Sequence, residues 1–299
     1  MHAEYQSCAL CAHKCKIDRT VKPGVCGMTD KLYVARAALH EWEEPPISGA
    51  HGSGAIFFSG CSLGCVYCQN ALISRGAHGR EIGVERLSEI MLELESEGAH
   101  NINLVTPTHF VPSIREALYL AKGKGLSIPI VYNTASYDTK ETIKSLRGLV
   151  DIYIPDLKYF LPKTANLYSH APDYPSAARC AISEMIKEVG EPIFDKEGIM
   201  KRGVIARILL LPSHLAEAKL SLKYLYQAYG DRVYISLMNQ YTPMENMPPP
   251  LNRTVTRSEY LELLDYAEGL GVKNCFIQEW GTAKESFIPP FDNTGVLEK

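Results

Sequence analysis

The sequence of 299 residues lacks any hydrophobic run long enough to cross a membrane. Its longest apolar stretch, from Val204 to Leu211, is interrupted by Arg207. The first residues, from Met1 to Gln6, contain no apolar segment of the kind that directs secretion. We therefore expect a cytoplasmic protein without a membrane partner.

The sequence also lacks an excess of charge of either sign. It contains 31 Lys and Arg against 34 Asp and Glu, which gives a net charge of −3 with neutral His. Nucleic-acid-binding proteins usually carry a basic surface, so we expect no nucleic-acid partner. A hydrophobic content of 46% with 22% charged residues is typical of a folded globular protein.

Cysteine, in contrast, is abundant. Nine cysteines are present, and seven of them lie within the first 68 residues. In a reducing compartment, closely spaced thiols more often bind a metal or take part in redox chemistry than form disulfides. The two isolated cysteines, Cys180 and Cys275, are expected to be small buried apolar side chains.

From residue 55 onwards, short apolar runs alternate with helical patterns. The runs are nearly continuously apolar, as buried parallel strands are. They lie at residues 55–59, 101–106, 129–134, 151–155, 204–211, 233–237 and 274–278. Repeated strand–helix units predict an α/β fold with a parallel sheet and right-handed crossovers. We predict a partial (β/α)6 barrel of the TIM type over residues 55–299, and an open doubly wound sheet is the alternative.

Local signals indicate individual helices. Apolar residues at helical spacing predict a helix with one buried face. They are Val84, Leu87, Ile90, Met91 and Leu94. Asp138 with Glu141, and Thr256 with Glu259, are capping-box patterns that open helices, and Gly271 ends the last one.

Residues 1–54 lack this alternation. They contain four cysteines, a predicted strand at 31–37 and an irregular stretch rich in Pro and Gly at 43–49. We predict a small cysteine-rich, metal-binding extension that leads into the barrel. A hairpin that turns near Gly198 is predicted at 192–203.

Three cysteines, Cys61, Cys65 and Cys68, follow the first strand of the predicted barrel at once. They lie in the loop at its C-terminal end, the face on which barrel enzymes hold their active sites. Three thiolates at this spacing can bind one [4Fe–4S] cluster and leave one iron open for chemistry. Half of a zinc site is the alternative, although no second pair of ligands follows soon after Cys68.

Together with Tyr67, these cysteines form the Cys-x3-Cys-x-aromatic-Cys signature of the radical S-adenosylmethionine (SAM) superfamily, which the chain resembles. Segments 44–49, 52–54, 57–61 and 65–70 resemble an uncharacterised iron–sulfur group among the relatives of pyruvate formate-lyase activating enzyme. The resemblance implies a [4Fe–4S] cluster on the three cysteines, with SAM on the open iron and Tyr67 near the adenine. It also implies reductive cleavage of SAM to a 5′-deoxyadenosyl radical that abstracts a hydrogen atom.

Polar residues at successive strand ends are candidates for holding SAM. Thr106 and Thr108 stand where many family members carry Gly-Gly-Glu, and Asn133 stands where a polar residue often faces SAM. Asp156 and Lys158 match the Asp-Leu-Lys of the activating enzymes, in which both line the SAM pocket. A surface ion pair of little energetic consequence is the alternative for these two.

Arg207 interrupts an otherwise apolar strand, so its charge must be paired or must open onto a cavity. The carboxylate of SAM and the side chain of Asp156 are both suitable partners. His109, after the second strand, is a candidate substrate-side group.

Cys8, Cys11, Cys15 and Cys26 place four thiols in 19 residues. Four thiolates complete a tetrahedral Zn²⁺ site or bind a second iron–sulfur cluster, and the spacing leaves both open.

The resemblance implies a radical SAM oxidoreductase with an electron donor such as flavodoxin or ferredoxin. Its substrate would be a glycyl radical enzyme to be activated, or else a small molecule or peptide. A non-enzymatic iron–sulfur carrier or redox sensor would explain the cysteines but not the polar residues at the strand ends.

Overall fold

The structure, a computed structural model, describes residues 2–76, 78–280 and 289–298. Its strands are β1 (Leu32–His40), β2 (Ser53–Phe58), β3 (Arg80–Ile82), β4 (Ile102–Val105), β5 (Ile130–Thr134), β6 (Ile152–Pro155), β7 (Ile193–Phe194), β8 (Met200–Leu209), β9 (Tyr234–Met238) and β10 (Cys275–Ile277). Its helices are α1 (Ala3–Gln6), α2 (Pro45–Ser48), α3 (Ala71–Ser74), α4 (Val84–Ser96), α5 (Val111–Gly123), α6 (Lys140–Lys144), α7 (Pro162–Ser169), α8 (Tyr174–Val189), α9 (Leu215–Tyr229) and α10 (Arg257–Leu270). No helix in these ranges combines the length and apolar character needed to span a bilayer.

The parallel strands of the sheet stand in the order in which they occur along the chain. The order is β10-β9-β8-β6-β5-β4-β2, continued by β1 and β3, and each neighbouring pair from β2 to β10 is parallel. A doubly wound sheet reverses its strand order at a switch point, whereas the described strands keep one direction. Right-handed crossovers then place the connecting helices on one face. The predicted partial barrel is confirmed, with six strand–helix units closed by β10.

The two faces of the sheet differ in character, because alternate residues of a strand point to opposite sides. Tyr132 and Val204 belong to the large core between the sheet and the helices. The inner face carries a separate apolar cluster of Ile47, Val131, Ile152, Ile154, Met200 and Ile205. Two residues further along their strands, the same face carries Asn133, Asp156 and Arg207. The barrel interior is therefore apolar at its base and polar at the C-terminal ends of the strands.

Part of segment 1–54 is built into the barrel. β1 pairs antiparallel with β2, and the expected domain boundary at residue 54 falls inside β2. α2 follows β1 and inserts the fully buried Ile47 into the inner apolar cluster. The N-terminal end of the barrel is therefore covered by the chain that precedes it.

Local sequence signals predicted several elements correctly. The apolar stripe of α4 is buried at Leu87, Ile90, Met91 and Leu94. α10 begins with a capping box formed by Thr256 and Glu259, and it ends at Gly271 in the left-handed conformation. β7 pairs antiparallel with β8 across a turn that contains Gly198, so the hairpin is also confirmed.

The capping box predicted for Asp138 and Glu141 is wrong. The side chain of Thr139 caps α6 instead. Asp138 is buried and accepts hydrogen bonds from Tyr132 Oη and Thr134 Oγ1, each at 2.7 Å. A buried carboxylate needs such partners, and these lie on β5 rather than at the start of the helix.

Candidate active site

The loop after β2 is held against the N-terminal cysteine segment. Gly60 has φ +83°, and a Cβ atom there would lie 2.2 Å from Met28 Cγ and 2.9 Å from the Cys26 carbonyl oxygen. The amide of Cys61 donates a hydrogen bond to that same carbonyl at 3.3 Å. Glycine is therefore required at position 60 both for its backbone conformation and for this close approach.

The thiols of Cys61, Cys65 and Cys68 are free and line one cavity. Burial raises the pKa of Cys61 to about 12, and the neighbouring Cys68 and Cys65 add to the rise. Burial also raises the pKa of Cys65, although the positive charge of Lys158 opposes the rise. Thiols in these surroundings become thiolates most readily when a bound metal supplies the compensating charge.

The three thiols fit a cluster better than a single ion. Three thiolates leave a structural Zn²⁺ site one ligand short, whereas they can hold a [4Fe–4S] cluster and leave one iron open. The amide of Leu63 also donates to Cys61 Sγ at 3.4 Å, and hydrogen bonds to sulfur are a feature that tunes clusters.

A cavity of about 240 Å³ lies at the C-terminal ends of the parallel strands. Most residues predicted from the sequence to hold the cluster or SAM lie in its wall. They are Cys61, Cys65, Tyr67, Cys68, Thr106, Asn133, Asp156, Lys158 and Arg207. Residues from or just after β2, β4, β5, β6 and β8 thus meet at one place, because the carboxyl ends of parallel strands share one end of the barrel.

Arg207 donates hydrogen bonds to three partners from the chain itself. Its Nε donates to Asp156 Oδ1 at 2.7 Å, its Nη1 to Glu43 Oε1 at 2.8 Å and its Nη2 to Asn133 Oδ1 at 2.7 Å. Two carboxylates therefore neutralise one buried guanidinium, as burial of a charge requires. Of the two partners considered for Arg207, the structure contains Asp156, and it adds Glu43.

Asp156 also binds Lys158, whose Nζ donates to Asp156 Oδ2 at 2.7 Å. Burial alone would raise the pKa of Asp156, but the charges of Arg207 and Lys158 outweigh this effect and lower it. For Lys158, burial would lower the pKa, and the charge of Asp156 reverses the shift. The side chains of Lys158 and Asp156 are only 19% and 14% exposed, so this is not a surface ion pair.

Glu43 is the main member of the site that sequence analysis did not identify. Its Oε2 accepts hydrogen bonds from Asn103 Nδ2 at 2.9 Å and from Asn133 Nδ2 at 2.8 Å. It lies between β1 and α2, 164 residues before its partner Arg207. The irregular stretch around it predicts a loop, and no local pattern assigns its carboxylate to the barrel interior.

Thr106 has a strained backbone in the cavity wall. Its φ is +59°, a conformation that is costly for a β-branched residue, and its amide donates to the Asn133 carbonyl at 2.9 Å. Strain of this kind is concentrated at functional sites. Tyr67 is buried nearby, and its ring lies edge-on to those of Tyr159, Tyr168 and Tyr241.

Two predicted residues lie away from the cavity. Thr108 is buried, with its hydroxyl 3.5 Å from Thr134 Oγ1. His109 is buried too, and its Nε2 donates to the Ser59 carbonyl at 2.7 Å. Burial and the charge of Arg19 lower the pKa of His109 to about 3. Both residues belong to a 3₁₀ turn after β4, which removes them from the inner face of the barrel.

The four N-terminal cysteines lie on one patch beside the β5–α6 connection. Backbone hydrogen bonds join Cys8 to Lys16 and Ile17, and Cys11 forms a β-bridge with Asp138. Cys8, Cys11 and Cys26 are buried and Cys15 is half-buried, all as free thiols. The patch is therefore part of the folded protein.

The expectation that both isolated cysteines are buried is wrong for Cys180. It is exposed on α8, because it lies on the solvent face of that helix. Cys275, in β10, is half-buried.

Comparison with known proteins connects this geometry to a family. A family described as the Radical SAM superfamily matches residues 55–212, which is more than half of the chain. The uncharacterized protein MJ0674 of Methanocaldococcus jannaschii is 29% identical over 276 residues, covering 88% of this chain and 75% of that protein. The family match runs from β2 to beyond β8, so it contains both the cysteine loop and the polar strand ends.

Solved structures with a similar fold include a radical SAM methyltransferase and a protein bound to S-adenosylmethionine. A radical SAM methyltransferase from Sphaerobacter thermophilus has a TM-score of 0.53 at 14% identity, over 76% of this chain and 66% of that one. Streptococcus suis SuiB bound to S-adenosylmethionine has a TM-score of 0.51 at 13% identity, over 74% of this chain and 49% of that one. This chain thus spans about half the length of SuiB, and the likeness at such identities concerns the fold. From the family match, the cysteine loop and the barrel that presents it, we conclude that the chain belongs to the radical SAM superfamily.

Proposed function

We propose that the protein binds a [4Fe–4S] cluster on Cys61, Cys65 and Cys68 and cleaves SAM in the adjoining cavity. The observation that carries the proposal is that the three thiols and the polar ends of β5, β6 and β8 line the same cavity. When bound, the cluster supplies one electron that splits SAM into methionine and a 5′-deoxyadenosyl radical, which takes a hydrogen atom from the substrate.

The residues of the cavity have distinct proposed roles. Asp156 and Lys158 meet the charged amino acid part of SAM, because they present both signs of charge beside Cys65. Thr106 offers its hydroxyl to the rest of the cofactor, and Asn133, which is bonded to Glu43 through Nδ2 and to Arg207 through Oδ1, positions these two side chains in the cavity wall. Arg207 acts as a positioning residue, since the chain already occupies its Nε, Nη1 and Nη2 and it fixes Asp156 in place.

We propose a small molecule or a short peptide segment as the substrate. SuiB, which shares the fold with a TM-score of 0.51, has also been seen bound to its precursor peptide. Activation of a glycyl radical enzyme, in which the substrate is a glycine of another protein, is the alternative, and it rests on the likeness of residues 156–158 to the activating enzymes. A low-potential one-electron donor such as flavodoxin or ferredoxin completes the proposed reaction.

Anaerobic reconstitution with iron and sulfide, followed by reduction and addition of SAM, tests this function. The reduced protein is expected to form 5′-deoxyadenosine and methionine, and alanine at Cys61, Cys65 or Cys68 to abolish both products. Cys180→Ala is the matched control, because that thiol is exposed on α8. Cleavage retained in two of the three loop variants would sink the proposal.

The same assay separates an enzyme from an iron–sulfur carrier or redox sensor. A carrier would show the absorption of a cluster that depends on Cys61, Cys65 and Cys68, without any cleavage of SAM. The charged groups of Asp156, Lys158 and Arg207 favour the enzyme, because a carrier has no use for a polar cavity beside its cluster.

A further inference from the structure

Arg19 is a fully buried cation with no carboxylate partner in the described chain. Its side chain is 0% exposed, its Nε donates to the Met28 carbonyl, and its Nη groups donate to the carbonyls of Thr29 and His109. Its remaining polar contact is a cysteine sulfur. By comparison, the buried guanidinium of Arg207 is neutralised by two carboxylates.

Carbonyl groups satisfy the hydrogen bonds of Arg19 but not its charge. The ring of Tyr5 lies 4.9 Å from the guanidinium carbon and that of Phe110 lies 5.8 Å from it, so cation–π contacts offset part of the cost. A buried charge nevertheless calls for an opposite charge nearby. The hydrogen-bond acceptors of the Arg19 guanidinium are carbonyls and one sulfur, so in the described chain it has no anion in direct contact.

Cysteine sulfur is the group placed to supply that anion. Arg19 Nη1 lies 3.8 Å from Cys8 Sγ. A Cβ atom on Gly24 would lie 3.4 Å from Arg19 Cδ and 3.5 Å from Cys26 Sγ, so the Arg19 side chain is close to Cys26 as well. Cys15 Sγ lies 3.9 Å from the Cys8 carbonyl oxygen, which brings a third cysteine to the same place.

We infer that Cys8, Cys11, Cys15 and Cys26 bind a four-thiolate metal group and that Arg19 is its buried counter-charge. Zinc and a [4Fe–4S] cluster share the relevant chemistry, because four thiolates outweigh the positive charge of either group and leave the site negative. No three of these side chains are already placed around a single ion in the described structure, so the thiols turn towards a common centre on binding. This inference does not depend on the proposed cleavage of SAM.

Arg19 also connects the N-terminal site to the cysteine loop. It donates to the His109 carbonyl, and His109 donates through Nε2 to the carbonyl of Ser59, two residues before Cys61. Arg19 therefore lies at the junction between the N-terminal segment and the end of β2.

The test uses the full chain with Cys61, Cys65 and Cys68 replaced by Ala, so that only metal at the N-terminal site is counted. This triple-alanine chain is the parent for the other variants. Purified without air, it is expected to contain enough zinc, or enough iron and sulfide, to fill one site per chain, and elemental analysis distinguishes the two. Arg19→Met, which keeps the length but removes the charge, should hold the metal at least about tenfold more weakly against a chelator. Arg19→Lys should retain more metal than Arg19→Met, and Arg147→Met, at an arginine with a 72% exposed side chain, should equal the parent.

If iron is found, the reduction potential gives a second readout, because loss of a nearby positive charge lowers the potential of an anionic cluster. If Arg19→Met and the parent hold their metal equally well against a chelator, Arg19 is not the counter-charge of the site. A folded, metal-free parent with four freely titratable thiols would overturn the site itself.

A thermal measurement keeps the inference testable if Arg19→Met folds poorly. In a chain with serine at all four N-terminal cysteines, Arg19 has no anion to balance, so Arg19→Met should raise the Tm there while lowering it in the metal-loaded parent. A similar loss of Tm in both backgrounds would show that Arg19 serves packing alone. Failure of SAM cleavage in the Cys61 assay would leave these results unaffected, so the two proposals fail separately.

Discussion

The backbone carbonyl of Cys26 accepts a hydrogen bond from the amide of Cys61 at 3.3 Å. The last cysteine of the N-terminal set and the first cysteine of the loop motif are therefore in direct backbone contact. Met28 packs beneath Gly60 at the same junction. The two cysteine sets form one continuous structure, and a change at the junction is expected to affect both.

Gly60→Ala is predicted to damage this junction far more than Gly64→Ala. Both glycines have positive φ, +83° and +62°, but a Cβ at Gly60 would meet Met28 and Cys26, whereas a Cβ at Gly64 would meet nothing within 4 Å. We expect a loss of about 1 kcal/mol in the free energy of unfolding for Gly64→Ala, from backbone strain alone. For Gly60→Ala we expect about 3 kcal/mol, because overpacking adds to the strain. Urea unfolding under anaerobic conditions measures both, and equal losses would contradict the close contact.

Arg207→Met is predicted to be strongly destabilising. The change leaves the buried carboxylates of Glu43 and Asp156 without their shared cation, and breaking a buried pair costs about 3 kcal/mol or more. The matched control is Lys31→Met, at an ion pair with Glu81 whose side chains are 59% and 45% exposed, for which we expect a much smaller loss. Adding Glu43→Gln to Arg207→Met should recover part of the lost free energy of unfolding, as measured with denaturant. If the losses from the two substitutions simply add, Glu43 and Arg207 are not coupled.

Asp156→Asn and Lys158→Met are predicted to keep the cluster and weaken SAM binding. Each removes one charge from the cavity wall, and a charge-assisted contact is worth about 1.5–3 kcal/mol, or roughly tenfold or more in affinity. Equilibrium binding of SAM to the reconstituted protein measures the effect, with iron content as the check on the cluster. Lys31→Met is the control, at a side chain that is 59% exposed. Unchanged affinity in both cavity variants would leave Asp156 and Lys158 with a purely structural role.

Glu44 is predicted to make stability depend on pH. Burial raises its pKa from the ordinary 4.5 to about 7, although the charge of Arg207 opposes the rise. The folded protein therefore keeps a proton that the unfolded chain releases, so this stabilisation is full below pH 4.5 and is lost as the pH rises to about 7.

Glu44→Gln should remove that dependence. Relative to this variant, the unaltered protein is expected to lose on the order of 3 kcal/mol in unfolding free energy across the window. Urea titrations at pH 5 and pH 8 measure the difference, with the exposed Glu85→Gln as the control. The prediction is refuted if the free energy of unfolding changes between pH 5 and pH 8 by the same amount in the unaltered protein and in Glu44→Gln.

The elements that could be predicted from the sequence depend on residues close together in the chain. The alternation of apolar runs identified the strands of the barrel, and Thr256 with Glu259 identified the start of α10. The same logic failed at Asp138, because its hydrogen-bond partners on β5 are available only in the folded protein. It also placed Thr108 in the cavity, since the 3₁₀ turn after β4 has no clear local signal.

The sequence by itself determined the family motif, its position after a strand, and therefore the end of the barrel on which Cys61, Cys65 and Cys68 lie. The tertiary structure decided which buried charges meet. Glu43 reaches Arg207 from 164 residues away, whereas Arg19 is enclosed by carbonyls, aromatic rings and Cys8. A buried charge selects its partner by distance in space, and the spacing of residues along a chain does not contain that distance.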